Sequence, residues 1–473
     1  MDGKTAVILA AGAGTRMKSD RPKVLHEVMG RSMVSHVISQ VRRAGADSIT
    51  AVIGHGADVV RKALSGENVT FAVQEEQLGT GHAVMQALDR IPGTGDVFIL
   101  CGDTPLITAE TLTAFAEYHA AQEAVLTVLT AEYEDPTGYG RILRDPDGGL
   151  QCIVEQKDAS EEEKLVREVN AGMYCVDAAF LRETLPKISN ENAQHEYYLT
   201  DLVELAVSAG QKTAAFCVDD PEEIMGVNNR VQLATAAKVM QRRINHGHMM
   251  NGVTILDPER TYIEDGVQIG RDTEIWPGTV LRGDTEIGSG VMIGTDCILE
   301  NAVIADGADV QKSVILDSSV GKDSSVGPFA YIRPGTSIGQ DCKVGDFVEF
   351  KNADFGDGSK ASHLAYIGDA DVGTDCNIGC GVIFANYDGK NKHRTVVGDR
   401  VFVGSNSNLV APVTVHDDAF IAAGTTVTKE APSGSLIVGR SPDKSLEGWV
   451  ERKGLIRSNL HGKKTGTEPE EHE

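Results

Sequence analysis

The sequence predicts a chain in two parts: an α/β domain on a mainly parallel sheet, then, beyond a helix, a β-solenoid. Three observations carry this. Short apolar runs alternate with helical patterns through residues 1–229. A one-sided apolar stripe follows over 230–250. From residue 251 onward aliphatic residues recur every six positions, a period that fits neither the ~3.6 of a helix nor the ~2 of a flat strand. Residues 251–473 therefore form the second part, with a polar tail over 461–473 that reads as disordered.

Taken in order, 6–10 is a continuous apolar run and predicts a buried strand; 49–54, 71–74 and 97–100 predict three more, with helices over 33–44 and 83–88 between them. In such sheets ligands sit beyond the carboxyl ends of the strands. The first strand runs into Gly12-Ala13-Gly14-Thr15-Arg16-Met17. Met17 stands where a third glycine would be needed, which excludes the GxGxxG dinucleotide fingerprint. Bare glycine amides with Arg16 and Lys23 nearby can surround a triphosphate, although a GxG also serves as a plain tight turn. The stretch holding Gln74, Gly79 and Thr80 offers an amide, a hydroxyl and open backbone ahead of a helix. It can read a base edge, or be a helix cap made by Thr80. Asp103 follows a buried strand, where a carboxylate is either a natural Mg²⁺ ligand or a turn residue.

Leu233, Ala236, Ala237, Met240 and Ile244 share one face of the predicted helix, which Gly247 and Asn251-Gly252 end. His246 and His248 point apart on it. In the solenoid, Val320, Val326, Ile332, Ile338 and Val344 keep the count of six, as do Val397, Val403, Leu409, Val415, Ile421 and Val427. One aliphatic side chain per repeat points inward, and small residues two positions earlier, Cys342 and Cys376 among them, line the tight wall. About ten coils of roughly eighteen residues fit. The frame lapses over 350–367 and 384–397. Segments off the frame are expected to project as loops, where sites are usually built. They carry Lys351, His363, Tyr366, Asn386 and Tyr387.

The net charge of −25, from 69 acidic and 44 basic residues, argues against nucleic acid. No apolar run reaches the roughly 18 residues of a membrane span. The eight cysteines are scattered without a CxxC pair, which predicts a soluble, reducing, cytoplasmic setting.

Leu9-Ala10-Ala11-Gly12, Gly14-Thr15-Arg16-Met17, Pro22-Lys23 and Gly102-Asp103 together resemble the sugar-1-phosphate nucleotidyltransferases. So do Gly138-Tyr139-Gly140-Arg141, Val169-Asn170-Ala171-Gly172 and Gly226-Val227-Asn228-Asn229. With the hexapeptide half, the chain resembles the bacterial bifunctional N-acetylglucosamine-1-phosphate uridyltransferases/glucosamine-1-phosphate N-acetyltransferases. That resemblance implies a Rossmann-like nucleotidyltransferase domain, a linker helix and a left-handed parallel β-helix. It implies that Leu9, Ala10, Ala11, Gly12, Gln74, Gly79 and Thr80 bind the uridine nucleotide, with Arg16 and Lys23 on its phosphates. Gly140, Glu155, Asn170 and Asn228 hold the nucleotide sugar, and Asp103 and Asn228 ligate Mg²⁺. In the second half it makes His363 the general base. Arg333, Lys351, Tyr366 and Asn377 bind glucosamine-1-phosphate. Cys380, Asn386, Tyr387, Ser405, Ala423 and Arg440 bind acetyl-CoA. Cys380 departs from the family, which often has Ala there. The resemblance further implies a homotrimer with sites built across subunits. Two other readings are a nucleotidyltransferase whose solenoid serves only assembly, and a zinc site of His363, His393 and His416.

Overall fold

The structure, a computed structural model, describes residues 4–455; the tail predicted over 461–473 lies outside them. In the first part the strands lie in the order Thr213–Cys217, Leu126–Glu132, Glu168–Asp177, Asp96–Cys101, Lys4–Ala10, Ala46–Ile53, Thr70–Val73. Glu168–Asp177 alone runs antiparallel to its neighbours on this path. Alternation along Lys4–Ala10 sends Ala6, Ile8 and Ala10 into one apolar cluster and Val7 and Leu9 into the other, so helices cover both faces. Leu9 pairs with Cys101, Ala10 with Ile53 and Ile53 with Val73, which brings four strand ends to one edge. The helix Met33–Arg43 packs behind that edge, its start capped by the Ser32 hydroxyl accepting from the Ser35 amide.

The linker helix Arg230–Met250 begins at Asn229, whose side chain accepts from the Val231 and Gln232 amides. Ala236 and Val239 complete a cluster with Val28, Met33, Leu106 and Val227 of the first part. At its far end Ile244 and Met249 pack against the solenoid core, and Gln241 Nε2 donates to the Thr261 carbonyl at 2.7 Å. The helix passes through Gly247 and ends at Asn251. Packing at both ends outweighs the propensity cost of that glycine, about 1 kcal/mol. Arg31 reaches Asp265 at 3.1 Å, and the Asp265 amide donates to the Met29 carbonyl at 3.0 Å, so the two parts also touch directly.

In the solenoid each short strand pairs in parallel with the third strand on, which gives three sides per turn. The inward residues stack into one continuous core from Val253 to Ala431. Cys297, Cys342 and Cys376 are buried in it. The lapse over 350–367 is not a loop. Lys343–Phe355 and Lys360–Val372 pair nearly residue for residue, with Asp346 beside His363, Glu349 beside Tyr366 and Lys351 beside Gly368. Val326 pairs with Val344, but Val344 pairs with Ala361, one position fewer. A corner gives up one residue while Phe350, Phe355, Ala361 and Ile367 stay in the core. Lys351, His363 and Tyr366 therefore stand on the wall itself. The later lapse is a true excursion. Val372 pairs directly with Val397; within that long coil Asn377–Ile378 and Ile383–Ala385 stay in the wall, and the stretch from there to Thr395–Val397 projects, closed by a bridge between Tyr387 and Lys392.

Two candidate active sites

A cleft of about 280 Å³ opens at the sheet edge, lined by Leu9, Ala10, Ala11, Gly12, Lys23, Gln74, Gly79, Thr80 and Asp103. Lys23 Nζ donates to Asn228 Oδ1 at 2.6 Å and pairs with the Asp103 carboxylate, and Arg16 also donates to Asn228 Oδ1, at 2.9 Å. The two candidate metal ligands thus face each other across one ammonium group. Gln74 is buried and its Nε2 donates to the Gly79 carbonyl at 3.1 Å. Thr80 does not cap its helix; its hydroxyl accepts from the Leu199 amide at 3.1 Å. Gly79 has φ 112° and ψ 174°, a conformation open essentially to glycine alone.

Gly140, Glu155 and Asn170 form a separate cluster. The Asn170 amide donates to the Gly140 carbonyl at 2.9 Å, and a Cβ built on Gly140 would lie 3.6 Å from Glu155 Oε1. Burial, then Asp158, raises the Glu155 carboxyl above its ordinary range. The cleft also contains Gln77, Cys101 and Glu196, which were not singled out from sequence. Cys101 adjoins Asp103 and followed from the strand; Glu196 comes from an irregular segment far along the chain and had no signal. Burial pushes the Cys101 thiol up to about 12.

The second site runs along one corner of the solenoid. Val344, Ala361, Ile378, Val403 and Ile421 pair in register from coil to coil. Two positions after each come Asp346, His363, Cys380, Ser405 and Ala423, a single column. The Asn406 amide donates to the Cys380 carbonyl and the Gly424 amide to the Ser405 carbonyl, each at 2.8 Å. Arg440 Nη1 closes the column on the Ala423 carbonyl at 2.6 Å. On the side next to this corner, Arg333 pairs with Glu349 at 2.8 Å and Lys351 with Asp369 at 3.7 Å. Asp369 also accepts from Asn352 at 2.7 Å and from Asn386 at 2.5 Å. Asn386 is 3.4 Å from the Tyr366 hydroxyl. Burial opposes charge on Asp369, but these bonds and the cations of Lys351 and Lys392 hold its carboxyl below the usual range. Lys392, in the projecting loop, lies against Lys351, and that like charge lowers its own pKa. Tyr387 is exposed on the same loop. Asn377 is not brought to Tyr366: it shares a rung with Lys360 and Phe402, on the side before the corner.

The three histidines of the zinc reading do not converge. His363 Nδ1 is 2.7 Å from Asp346, His393 Nε2 2.8 Å from Asp388, and His416 Nε2 2.5 Å from Glu430. Among the described residues one group, Asp96, His119 and Cys175, gathers possible ligand atoms within 4.8 Å of one another. It lies at the opposite end of the Asp96–Cys101 strand from the cleft.

A nucleotide cleft at the edge of a Rossmann-like sheet, joined to a hexapeptide solenoid with an imidazole on its corner, defines a two-domain transferase. Residues 6–169 match the MobA-like NTP transferase domain, 318–345 the hexapeptide repeat of succinyl-transferase, and 394–429 the bacterial transferase hexapeptide. The bifunctional protein GlmU of Alkaliphilus metalliredigens is 54% identical over 450 residues, covering 95% of this chain and 98% of that protein. GlmU of Clostridioides difficile is 52% identical, covering 95% and 97%, and that of Trichlorobacter lovleyi 53%, covering 95% and 98%. The chain belongs to the GlmU family of bifunctional enzymes. It carries an acetyltransferase activity on glucosamine-1-phosphate and a uridylyltransferase activity on N-acetylglucosamine-1-phosphate, the steps that make UDP-N-acetylglucosamine.

Proposed function

We propose that the corner column carries out acetyl transfer and the sheet-edge cleft carries out uridylyl transfer. In the cleft, a phosphate oxygen of N-acetylglucosamine-1-phosphate attacks the α-phosphorus of UTP, and pyrophosphate leaves. No protein nucleophile is required; the work is positioning and charge stabilisation. Gln74, Gly79 and Thr80 take the base, Ala10 to Gly12 the backbone contacts, and Gly140, Glu155 and Asn170 the sugar. Arg16 and Lys23 offset the phosphate charge. Asp103 and Asn228 would hold Mg²⁺: they present hard oxygen donors that already share one cation, Lys23. Bound there, Mg²⁺ would neutralise charge on the phosphate oxygens.

On the solenoid, neutral His363 accepts a proton from the amine of glucosamine-1-phosphate through Nε2. The amine then forms the amide bond to the acetyl carbonyl, and the thiolate of CoA leaves. Arg333 and Lys351, with Lys392 beside them, hold the sugar phosphate; Tyr366 holds the sugar, and Asn386 and Tyr387 flank the amine and acetyl group. Acetyl-CoA lies along Cys380, Ser405 and Ala423, with Arg440 toward its phosphates. The observation that carries this reading is the shared register of His363 with those three positions.

The family's homotrimer is proposed for this chain too. Phe329 and Phe347 stack at 5.4 Å on the outside of the same corner, and both are exposed with Leu364 beside them, an apolar ladder suited to a neighbouring copy. Asn377, around the corner, would serve a neighbour's site. Among the described residues no helix is long and apolar enough to cross a membrane, and the eight cysteines are free; we assign the enzyme to the cytoplasm.

The test assays both reactions on each variant. His363→Ala abolishes acetyl transfer and leaves uridylyl transfer near its full rate, and Asp103→Asn does the reverse. Loss of both activities in either variant would overturn the assignment. Chelation of divalent metal stops uridylyl transfer alone, and light scattering reports three times the monomer mass.

A further inference from the structure

We infer that Asp346 is the positioning residue for the acetyl-transfer base, taking the Nδ1–H of His363 so that Nε2 is left bare toward the substrate. This rests on the reading of His363 as that base.

The two residues are direct rung partners in successive coils. Each is followed by a residue with left-handed backbone, Phe347 at φ 57° and Leu364 at φ 32°, so both side chains leave the corner at equivalent places. Asp346 Oδ1 lies 2.7 Å from His363 Nδ1. The ring is otherwise unsupported: its side chain is 63% exposed, and among the described residues Asp346 is its hydrogen-bond partner. A neutral imidazole held by nothing divides between two tautomers, one of which puts its proton on Nε2 and cannot act as base there. A carboxylate accepting at Nδ1 selects the productive tautomer, limits ring rotation and stabilises the imidazolium formed when the amine gives up its proton.

The other acids on this face are already committed. Glu349 pairs with Arg333, and Asp369 holds Asn352, Asn386 and Lys351. The next rung beyond His363 offers the Cys380 thiol. Asp346 is therefore the carboxylate that faces the ring. The hydrogen bond from His363 holds the Asp346 carboxyl below its ordinary range, consistent with a standing partnership.

Asp346→Asn keeps the shape and removes the charge. Acetyl transfer is measured from about pH 6 to pH 9, with uridylyl transfer on the same sample as the internal control. The expected result is an acetyl-transfer kcat lower by about 10- to 100-fold, with KM for both substrates within about threefold. Asp346→Glu recovers part of the rate. An unchanged kcat or a change in KM alone would each overturn the positioning role. If His363→Ala itself keeps acetyl transfer, the base assignment fails; if it does not and Asp346→Asn is silent, only the role of Asp346 fails.

Discussion

Gly79→Ala places the heaviest demand on the nucleotide cleft for the smallest chemical change. A Cβ at this position would stand 2.6 Å from the Tyr197 carbonyl oxygen and 2.7 Å from its amide nitrogen. Both obstacles are backbone, and both are engaged: the Gly81 amide donates to the Tyr197 carbonyl, and the Tyr197 amide donates to the Leu78 carbonyl, each at 2.8 Å. Neither can yield without breaking the clamp that holds the loop. The φ of 112° adds a conformational penalty of about 1–3 kcal/mol for any residue with a side chain. The loop sits at the surface, so the cost is met by displacing it, not by unfolding the domain. If the displaced loop cannot bind the base, KM for UTP rises by about 5- to 150-fold, the factor equivalent to 1–3 kcal/mol. The assay is pyrophosphate release against UTP concentration, with acetyl transfer as the control that stays constant. Gly66→Ala, where a Cβ meets nothing within 4 Å, is the comparison and leaves KM unchanged. A Gly79→Ala enzyme with KM for UTP within twofold of the parent would refute the reasoning.

Burial, with Glu204 and Asp158, pushes the Asp201 carboxyl up to about 6. The unfolded group titrates near ~3.9, so the folded state keeps the proton between these values and stability falls as pH rises from about 4 to about 6. After a discount for partial exposure, Asp201→Asn raises the melting temperature at pH 8 by roughly 2–4 °C and leaves it unchanged near pH 4; equal values at both pH values contradict this. Cys380 is exposed in the column beyond His363, so maleimide blocks acetyl transfer in the parent and not in Cys380→Ala; equal sensitivity of the two would remove the proposal. Phe350 is fully buried, edge-on to Phe355 at 5.1 Å, and Phe350→Ala costs about 3–5 kcal/mol in denaturant unfolding. A loss under about 1 kcal/mol would mean that the coil collapses around the gap.

The six-residue rhythm was readable because every strand sends one large side chain inward, whatever happens at the corners. The same rhythm misled over 350–367. Dropping one residue at a corner looks, along the chain, like a lost frame, whereas pairing between Val344 and Ala361 restores it at once. The insertion around Tyr387 was readable because a whole loop cannot be absorbed that way. In the first part, Gln74 and Asp103 were legible because each follows an apolar strand, and Lys23 because it comes shortly after the glycine loop and Arg16. Asp346, Glu349, Asp369 and Lys392 were not, because their meaning lies in which residue stands one coil away. Coil lengths vary, so no fixed spacing in the sequence reports it.

The helix Arg230–Met250 belongs to neither part alone. Its opening turns supply Ala236 and Val239 to the cluster around Met33 and Leu106, while Gln241 and Asn245 donate to the Thr261 carbonyl at the mouth of the solenoid. A fragment stopping at residue 229 would bare the first surface to water, and one starting at residue 251 would leave that carbonyl without its donors. Anyone dividing this enzyme into two independent catalysts would have to give each half its own copy of those twenty-one residues.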